Sequence, residues 1–458
     1  MDKYSFNTLP QKVTPIKTPN RIINSKIPYP GTNKLIQKLE KVESRSMHGQ
    51  LPIIWSKAKD YNIYDIGDNK FIDFTSSIFI ANIGHSNKRV EKYINMALKN
   101  KLISSYAYIS KIRLKYINSL IRFVGRPYDK AYLVSAGTEA TEAALKLMRL
   151  YGKKKSDKKK YIVCFEGNWH GRTYGAQMMS GNKNQKQWIG SQDKFMVHLP
   201  FPYPWVMKNQ TVDDFFESCK KILNKKIGNF DDIAGFMLES FQGWGAIFYP
   251  KDFIKKLFKF SKEHKIAFCF DEMQAGFGRT GKKFGFQHYN VTPDLFCCGK
   301  AMGGGVPLSA VIGKKKFLDL PEVGNMSSTH SANPLVCSAG MAVLDEISSK
   351  NLIKSCQIKS TIFFRELNMI KSMFPNLIDN IYGSGLIAAI IFKDFKNIKA
   401  SFICSVISET CMQKGLLVVH TGRESIKLGP PLIIKTSALI EGISVIQDSI
   451  KSFLDKHV

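Results

Sequence analysis

Two charged residues stand at positions where a parallel sheet could place reactive groups. Asp271 directly follows the apolar run "IAFCF", and Lys300 follows "LFCC" and a glycine. Because ligands bind beyond the carboxyl ends of parallel strands, both residues are candidates for one site. A partly desolvated lysine can lose its proton, and the neutral amine can form an imine with a carbonyl group. A carboxylate at such an edge needs a cationic partner, or its pKa rises.

Each of these residues, taken singly, also fits a simpler role. Asp271 and Glu272 could form a salt bridge or cap a loop, and a single lysine is most often a surface residue. The combination is more informative, because the glycine run 303–305 follows Lys300 closely. A lysine between a strand end and a glycine run is placed as an imine-forming lysine requires.

The stretch "GFGRTG" at 276–281 satisfies the dinucleotide-binding pattern G-x-G-x-x-G and, with Lys282, most of a P-loop. A dinucleotide fingerprint needs its first glycine directly after the strand, but residues 271–275 intervene here. The P-loop position for Ser or Thr is Lys283, which cannot ligate Mg²⁺. We therefore predict a loop with unusual backbone angles and no nucleotide site.

The elements around these residues alternate between strands and helices. Short apolar runs typical of strands buried on both faces lie at 131–135, 161–165, 233–238, 266–270, 295–298 and 308–312. Helical spacing of apolar residues appears at 140–148 and 250–264. This alternation predicts an α/β domain with a mostly parallel sheet.

The pattern of predicted helices and strands changes on either side of this domain. Helices are predicted at 335–350, 353–370 and 436–453, with strands near 386–392 and 416–419 and an N-terminal hairpin at 52–74. We predict an arm and hairpin at 1–75 that packs with a smaller α+β domain at 326–458. The large α/β domain then spans 76–325.

Composition limits the class of protein. The chain has 458 residues, of which 44% are hydrophobic and 23% charged, as in ordinary globular proteins. The nine cysteines lack C-x-x-C spacing, so we expect buried small side chains rather than disulfides or a metal site. No apolar run approaches the roughly 20 residues of a membrane helix, and the N-terminus lacks an apolar leader. We expect a cytoplasmic protein with no membrane partner.

The formal net charge of +30 raises the alternative of a nucleic-acid-binding protein. The lysines are dispersed, however, and the densest run, "KKKSDKKK" at 153–160, falls between a predicted helix and strand. We interpret that run as a solvated loop and expect no nucleic-acid partner.

Several motifs together resemble those of one family. They are "DFTSSIFIANIGH", "SAGTEATEAALKLMR", "FEGNWHGRT", "ESFQG", "FDEMQAGFGRTG", "PDLFCCGKAMGGGVPLSAV", "STHSANPL" and "IKLGPPLII", in this order along the chain. The sequence resembles the class III aminotransferases of the 4-aminobutyrate, ornithine and acetylornithine type. The resemblance implies pyridoxal 5′-phosphate (PLP) as cofactor and the PLP-dependent transferase fold type I. It also implies an amino donor and a keto acid as substrates, and a homodimer with shared active sites.

The resemblance assigns roles to individual residues near the cofactor. Lys300 would form the Schiff base, and Asp271 would pair with the pyridine nitrogen and keep the ring protonated. The remaining cofactor contacts would be Gly137 and Thr138 to the phosphate, Thr329 to the phosphate in the partner subunit, Trp169 and Met273 on the two ring faces, and Gln274 at the ring hydroxyl. Glu239 and His170 would not contact the cofactor themselves but would orient the residues that do.

The substrate contacts implied by the resemblance are Arg172, for a distal carboxylate, and Ile78 and Phe79, which line the pocket. Ornithine-type enzymes carry tyrosine in place of Ile78, so the pocket resembles the 4-aminobutyrate type. Guanidinium groups bind carboxylates through two parallel hydrogen bonds, which suits the role given to Arg172.

Three positions depart from the family pattern. Lys427 replaces the arginine that binds the α-carboxylate, Trp244 replaces the glutamate that covers it, and Ser240 replaces a proline. A lysine binds carboxylate only as a point charge, and an indole narrows the pocket. We infer that the usual switch between two substrates is altered. An amino-acid racemase or epimerase on the same scaffold is therefore the alternative to an aminotransferase.

Overall fold

The computed structural model describes residues 4–457. Within this range the strands are β1 (Ile16–Lys17), β2 (Ile22–Ile23), β3 (Trp55–Lys59), β4 (Asn62–Asp65), β5 (Lys70–Asp73), β6 (Lys130–Val134), β7 (Tyr161–Phe165), β8 (Met196–Leu199), β9 (Ile233–Glu239), β10 (Phe241–Gln242), β11 (Ile247–Phe248), β12 (Ala267–Asp271), β13 (Leu295–Cys298), β14 (Ser309–Gly313), β15 (Ile378–Ser384), β16 (Ile387–Phe392), β17 (Leu416–Leu417), β18 (Val419–His420) and β19 (Ser425–Leu428). The helices are α1 (Thr32–Glu40), α2 (Ser76–Phe79), α3 (Lys88–Lys99), α4 (Lys111–Val124), α5 (Gly137–Lys153), α6 (Tyr174–Met179), α7 (Val212–Ile227), α8 (Lys251–Glu263), α9 (Lys315–Leu318), α10 (Pro334–Ser349), α11 (Leu352–Met373), α12 (Ala400–Gln413) and α13 (Thr436–His457).

The chain forms two compact units. The central unit comprises Lys88–Gly243 and Ile247–Lys350. The terminal unit comprises the N-terminal segment that ends at Asn87, the short segment Trp244–Ala246 and the C-terminal segment that begins at Asn351. The sequence pattern instead places the divisions after residues 75 and 325. Helix α10 accordingly belongs to the central unit, where it packs against α3 and α4.

The central unit is built on a seven-stranded sheet in the order β6-β14-β13-β12-β9-β7-β8. Strand β14 runs antiparallel to both of its neighbours, and the other neighbouring pairs are parallel. The mostly parallel α/β sheet predicted from the alternating pattern is confirmed. The apolar runs predicted as strands form β6, β7, β9, β12, β13 and β14.

Burial on both faces explains why these strands are almost wholly apolar. Every residue of β9, β12, β13 and β14 is buried. Helix α5 covers one face, where Ala140, Ala144 and Met148 pack into a core with Cys269 and Cys297. Such double coverage is the usual condition for a parallel sheet. It fixes the strand ends that carry the charged residues.

The terminal unit contains two further sheets. One has the order β1-β2-β5-β4-β3, with β17 beside β5, and the other is antiparallel with the order β15-β16-β19-β18. Hairpin β4–β5 is the predicted one, and Asp68 in its turn has φ of 58°. The helices α11, α12 and α13 complete the unit. The sequence analysis missed β15, β19 and α12.

Two compositional expectations can be compared with the structure. All nine cysteines are buried and unbridged, as expected for small apolar side chains. The run at 153–160 is not wholly solvated, because Lys159 is buried and its Nζ donates to the carbonyls of Asp231 and His264 at 2.8 and 2.9 Å.

Among residues 4–457, no helix is both long enough and apolar enough to cross a membrane.

Candidate active site

The two residues singled out from the sequence lie at neighbouring strand ends in the central unit. Asp271 is the last residue of β12 and pairs in register with Cys297 of β13, three positions before Lys300. Lys300 opens a short 3-10 turn with φ of 41°. A Cβ on the preceding Gly299 would lie 2.4 Å from the Ser309 Oγ, so only glycine allows this close approach. The carboxyl edge of the sheet therefore carries both groups, as predicted.

The environment of Lys300 favours its neutral form. Burial lowers the pKa of the Lys300 ammonium below its ordinary value, and the charges of Asp271 and Glu239 offset part of that effect. Desolvation disfavours the charged form of an amine, whereas nearby carboxylates favour it. The net direction gives a larger fraction of neutral amine, which is the nucleophilic form.

The Asp271 carboxylate is buried and held by two donors. Its Oδ2 lies 2.9 Å from the His170 Nδ1, and its Oδ1 accepts from the Met273 backbone N–H at 3.0 Å. Because Asp271 can only accept when ionised, the proton belongs on the Nδ1 of His170. Within residues 4–457, the buried Nε2 of His170 has no hydrogen-bond partner.

This donor set fits the pyridine ring of PLP. An ionised carboxylate at a buried strand end is stabilised by a cation, and a protonated ring nitrogen is such a partner. The lone pairs that Asp271 does not use toward His170 and Met273 can accept from it. The observed chemistry of this edge therefore suits a cationic heterocycle.

Glu239 links two of the residues that the family resemblance placed near the ring, Trp169 and Gln274. Its Oε1 accepts from the Trp169 N–H at 2.9 Å, and its Oε2 accepts from the Gln274 Nε2 at 3.3 Å. Glu239 pairs in register with Asp271, so the two carboxylates lie on adjacent strands. The Arg172 guanidinium lies 4.5 Å from the centre of the Trp169 ring. Glu239 thus holds the backbone of the segment that presents the indole.

The start of α5 provides an anion-binding environment. Gly137 and Thr138 are its first two residues, and the first N–H groups of a helix have no partner within the helix. These N–H groups and the helix dipole favour a dianion. Met273 lies close by, since a Cβ built on Gly137 would be 3.0 Å from its Sδ.

A hydrogen-bond relay joins this helix start to the segment that carries Arg172. The hydroxyls of Thr138 and Thr173 are 2.5 Å apart, and the Thr173 hydroxyl donates to Glu142 at 2.7 Å. Glu142 also accepts from the N–H groups of Gly175 and Ala176 at the start of α6. The sequence analysis missed Glu142, because only the fold brings α5 and α6 together.

The departure at Ser240 has a local explanation. The Ser240 hydroxyl donates to the buried Glu272, which also accepts from the N–H groups of Gly285 and Phe286 at 2.6 and 2.9 Å. Burial raises the pKa of the Glu272 carboxyl to about 7, and these three hydrogen bonds oppose the rise. Proline at 240 could not donate to Glu272. Glu272 therefore anchors a loop, one of the simple roles considered for it.

Thr329 does not take part in the hydrogen bonds described above. It is exposed in the central unit, in the stretch before α10. In the part of the chain that the structure describes, its hydroxyl makes no hydrogen bond. The phosphate contact that the resemblance gives it is to the partner subunit's site, so exposure agrees with that role.

The terminal unit carries Ile78 and Phe79 on an unusual turn. The four residues of α2 all have positive φ, from 47° at Ser76 to 68° at Phe79. For residues other than glycine, left-handed backbone costs about 1–2 kcal/mol each. The Thr75 hydroxyl accepts from the Ser77 N–H at 3.0 Å, and the Ser76 hydroxyl donates to the Gly429 carbonyl. Strain held by such contacts is typical of functional sites.

Replacing Ser77 by glycine is expected to stabilise the protein. Ser77 has φ of 52° and ψ of 49°, which glycine adopts without steric cost, and within residues 4–457 its hydroxyl makes no hydrogen bond that would be lost. We expect a gain of about 0.5–1 kcal/mol, because the relief of strain exceeds the larger chain entropy of glycine. Denaturant unfolding measures it. The control is Ser360→Gly inside α11, which should destabilise; a loss of stability in Ser77→Gly would contradict the interpretation of strain.

Phe79 contacts the lysine that replaces the family's arginine. The Lys427 Nζ lies 4.5 Å from the centre of the Phe79 ring, and Lys427 is 5% exposed. The ring also packs over Gly429, where a Cβ would lie 2.2 Å from it. Trp244 belongs to the same unit, and its carbonyl accepts from the Ser425 hydroxyl at 3.0 Å.

The predicted site residues fall into two groups. Eleven lie in the central unit, namely Gly137, Thr138, Trp169, His170, Arg172, Glu239, Asp271, Met273, Gln274, Lys300 and Thr329. The terminal unit holds Ile78, Phe79, Trp244 and Lys427. The first group includes the residues at the sheet edge, and the second combines aromatic and cationic side chains.

Comparison with known proteins adds independent information. The family model described as aminotransferase class III matches residues 44–450. The mitochondrial acetylornithine aminotransferase of Candida glabrata is 30% identical over 400 residues, which is 86% of this chain and 88% of that protein. The 2-aminoadipate transaminase of Pseudomonas putida is 30% identical, over 86% of this chain and 95% of its own. A solved ornithine aminotransferase of Toxoplasma gondii, described with partial occupancy of PLP at its active site, has a TM-score of 0.82 at 21% identity and covers 93% of this chain and 95% of its own.

Proposed function

The chain belongs to the class III aminotransferases and is a PLP-dependent enzyme that transfers an amino group, and we propose that Lys300 and Asp271 carry its chemistry. One observation supports this proposal above the others. A lysine with a lowered pKa and a buried, histidine-bonded aspartate lie at adjacent strand ends. Perturbed groups placed in this way are typical of catalytic sites.

The residues at the sheet edge have separate roles in the reaction. When bound, PLP supplies an aldehyde for the substrate amine and a ring that accepts the electrons left by Cα–H cleavage. The neutral amine of Lys300 can take the proton from the substrate Cα and return it, as a general base and then a general acid. The Asp271 carboxylate keeps a positive charge at the ring nitrogen, and His170 orients that carboxylate.

The remaining site residues of the central unit hold and orient the cofactor. The N–H groups of Gly137 and Thr138, at the start of α5, would bind the phosphate. Trp169 would pack on one face of the ring and Met273 on the other, and Glu239 fixes the Trp169 backbone. These contacts place the reacting atoms and exclude water from the ring.

We propose that the substrate is an amine that carries a carboxylate. Arg172, exposed and stacked on Trp169, can bind a distal carboxylate through a bidentate pair. Lys427, held on the Phe79 ring, supplies a second positive charge. Relatives are named for acetylornithine and 2-aminoadipate, both of which are carboxylate-bearing amino compounds. The exposed Ile78 would contact the substrate side chain.

An amino-donor screen tests this function. The purified, PLP-loaded protein is incubated with single amino donors and a mixture of keto acids, and the products are identified by mass spectrometry. We expect amine transfer that depends on the keto acid. Loss of optical rotation without any keto acid would instead indicate the racemase or epimerase alternative, and failure of every donor would contradict the proposal.

We also propose that the active form is a homodimer. Exposed apolar side chains cluster from the end of α3 into α4, and include Ile103, Tyr108, Ile109 and Leu114, with Ile109 98% exposed. Apolar surface of this kind usually marks an interface. A second copy would also bring its own Thr329, which is exposed here, to the phosphate. The predicted cytoplasmic location stays a prediction.

Replacing Ile109 by glutamate is expected to dissociate this dimer. A charge buried in an apolar interface without a partner costs several kcal/mol, so the variant should be monomeric at micromolar concentration. Light scattering should give about 51.8 kDa for Ile109→Glu and twice that mass for the parent protein. The control is Val42→Glu, at an exposed site in the terminal unit, which should stay dimeric. A parent protein that is already monomeric would contradict the proposal.

A further inference from the structure

Arg423 contacts the indole that stands where the family has a glutamate. Its guanidinium carbon lies 3.9 Å from the centre of the Trp244 ring. The same guanidinium donates to the neighbouring Glu424 at 3.0 Å, which leaves its planar face available for the ring. Planar guanidinium groups stack on aromatic faces, and tryptophan has the most favourable one.

A second contact holds the Trp244 backbone independently of its ring. The buried Ser425 hydroxyl donates to the Trp244 carbonyl at 3.0 Å. The Thr421 hydroxyl donates to the Ser425 carbonyl at 2.7 Å and so fixes the turn between β18 and β19. The ring and the backbone of Trp244 are therefore both attached to the same turn.

The alternation along β19 relates this contact to Lys427. Side chains two residues apart in a strand point to the same face, so Ser425, which bonds the Trp244 carbonyl, shares one face of β19 with Lys427. Arg423 lies in the turn that leads into this strand. Arg423 of the turn and Lys427 of the strand each lie over an aromatic ring, Arg423 over Trp244 and Lys427 over Phe79. Two cations of one short segment therefore each have an aromatic partner.

We propose that Arg423 is a specificity-determining residue, because it locks Trp244 as an immobile wall of the substrate-binding surface. This inference rests on the proposed function, which places Lys427 at the substrate, and on the family resemblance, which places Trp244 beside Lys427. A glutamate at position 244 could change its ionic partner during turnover, whereas an indole held by a stacked cation and a backbone hydrogen bond cannot. The wall limits the size of the substrate side chain in both halves of the reaction.

Fluorine NMR tests the lock without reference to activity. The holoenzyme contains five tryptophans, so labelling with 5-fluorotryptophan gives few signals, and Trp244→Phe assigns one of them to Trp244. We expect Arg423→Ala to shift and narrow that signal, and Arg423→Lys to restore most of the original shift. The matched control is Arg365→Ala, since Arg365 pairs with its neighbour Glu366 in the same way. An unchanged Trp244 signal in Arg423→Ala would overturn the proposal.

Single-turnover kinetics then test the effect on specificity. The holoenzymes are mixed with L-alanine or L-leucine, and the cofactor absorbance is followed without any keto acid. For each amino acid, the rate constant is divided by the apparent dissociation constant. We expect Arg423→Ala to raise the value for leucine relative to that for alanine at least fivefold, and Arg365→Ala to leave this ratio unchanged. A moved NMR signal with an unchanged ratio would overturn the role in specificity. An absence of reaction with any amine in the parent protein would count against the proposed function, while the NMR result would still decide the lock.

Discussion

Replacing Lys300 by alanine is expected to abolish turnover. The variant loses both the amine that attaches the cofactor and the base that moves the substrate Cα proton. General acid–base transfer alone contributes about 10²–10⁴-fold, so we expect at least the upper end of that range to be lost. Arginine at this position should be equally inactive, because a guanidinium stays protonated in proteins. Steady-state assays with the best donor from the screen measure the loss.

The control for this experiment is the exposed Lys282, in the loop after the glycine-rich stretch. Its alanine and arginine variants should retain the parent rate. Turnover within tenfold of the parent rate in Lys300→Ala would show that another residue moves the proton. Comparison of the Lys300 variants with one another separates loss of the neutral amine from loss of positive charge.

Asparagine at position 271 is expected to reduce kcat severely while the protein still folds. The shape of the side chain is kept, but the buried charge beside His170 is removed. Breaking a buried charge pair costs about 3–5 kcal/mol, which corresponds to about 10²–10⁴-fold in rate when the same interaction acts in the transition state. The measurement is kcat at saturating PLP, with the cofactor absorbance followed against pH.

Two controls limit the interpretation of Asp271→Asn. Circular dichroism checks the fold, and Asp319→Asn, which removes an exposed carboxylate that pairs with Lys130, should leave kcat unchanged. We also expect the ring nitrogen to titrate at lower pH in Asp271→Asn. A kcat within threefold of the parent value, with an unchanged pH titration, would remove Asp271 from its role at the ring.

The chemistry at the sheet edge could be predicted because it depends on local sequence. Strand β12 is apolar up to Asp271, its last residue, and β13 is apolar throughout, with Lys300 shortly after its end. An apolar run with a charged residue at its end is visible without any knowledge of the fold. The glycine-rich stretch was correctly predicted as a loop, since Phe277, Gly278 and Gly281 all have positive φ.

Contacts between segments distant in sequence could not be predicted in this way. The bond from Ser240 to Glu272 joins residues 32 positions apart, and Glu142 reaches Thr173 across 31 positions. Neither carboxylate has a neighbour in sequence that reveals its partner. The pKa of Glu272 near 7 likewise follows from burial, which only the folded sheet produces.

The terminal unit was the more difficult part to predict. Nothing in the residues 76–79 favours left-handed backbone, since none is glycine or asparagine. The turn persists because Thr75 and Gly429 hold it, and Gly429 lies far away in sequence. Arg423 was not identified as a site residue, because its contact with Trp244 depends on the turn between β18 and β19.

In the proposed enzyme a single amine, that of Lys300, carries the cofactor. The holoprotein is treated with borohydride, digested, and searched by mass spectrometry for a peptide that bears the reduced pyridoxyl group. We predict that this group is found on Lys300 in the peptide that follows β13. A modified peptide that maps to a different lysine, or a digest in which no lysine is modified, would contradict the account.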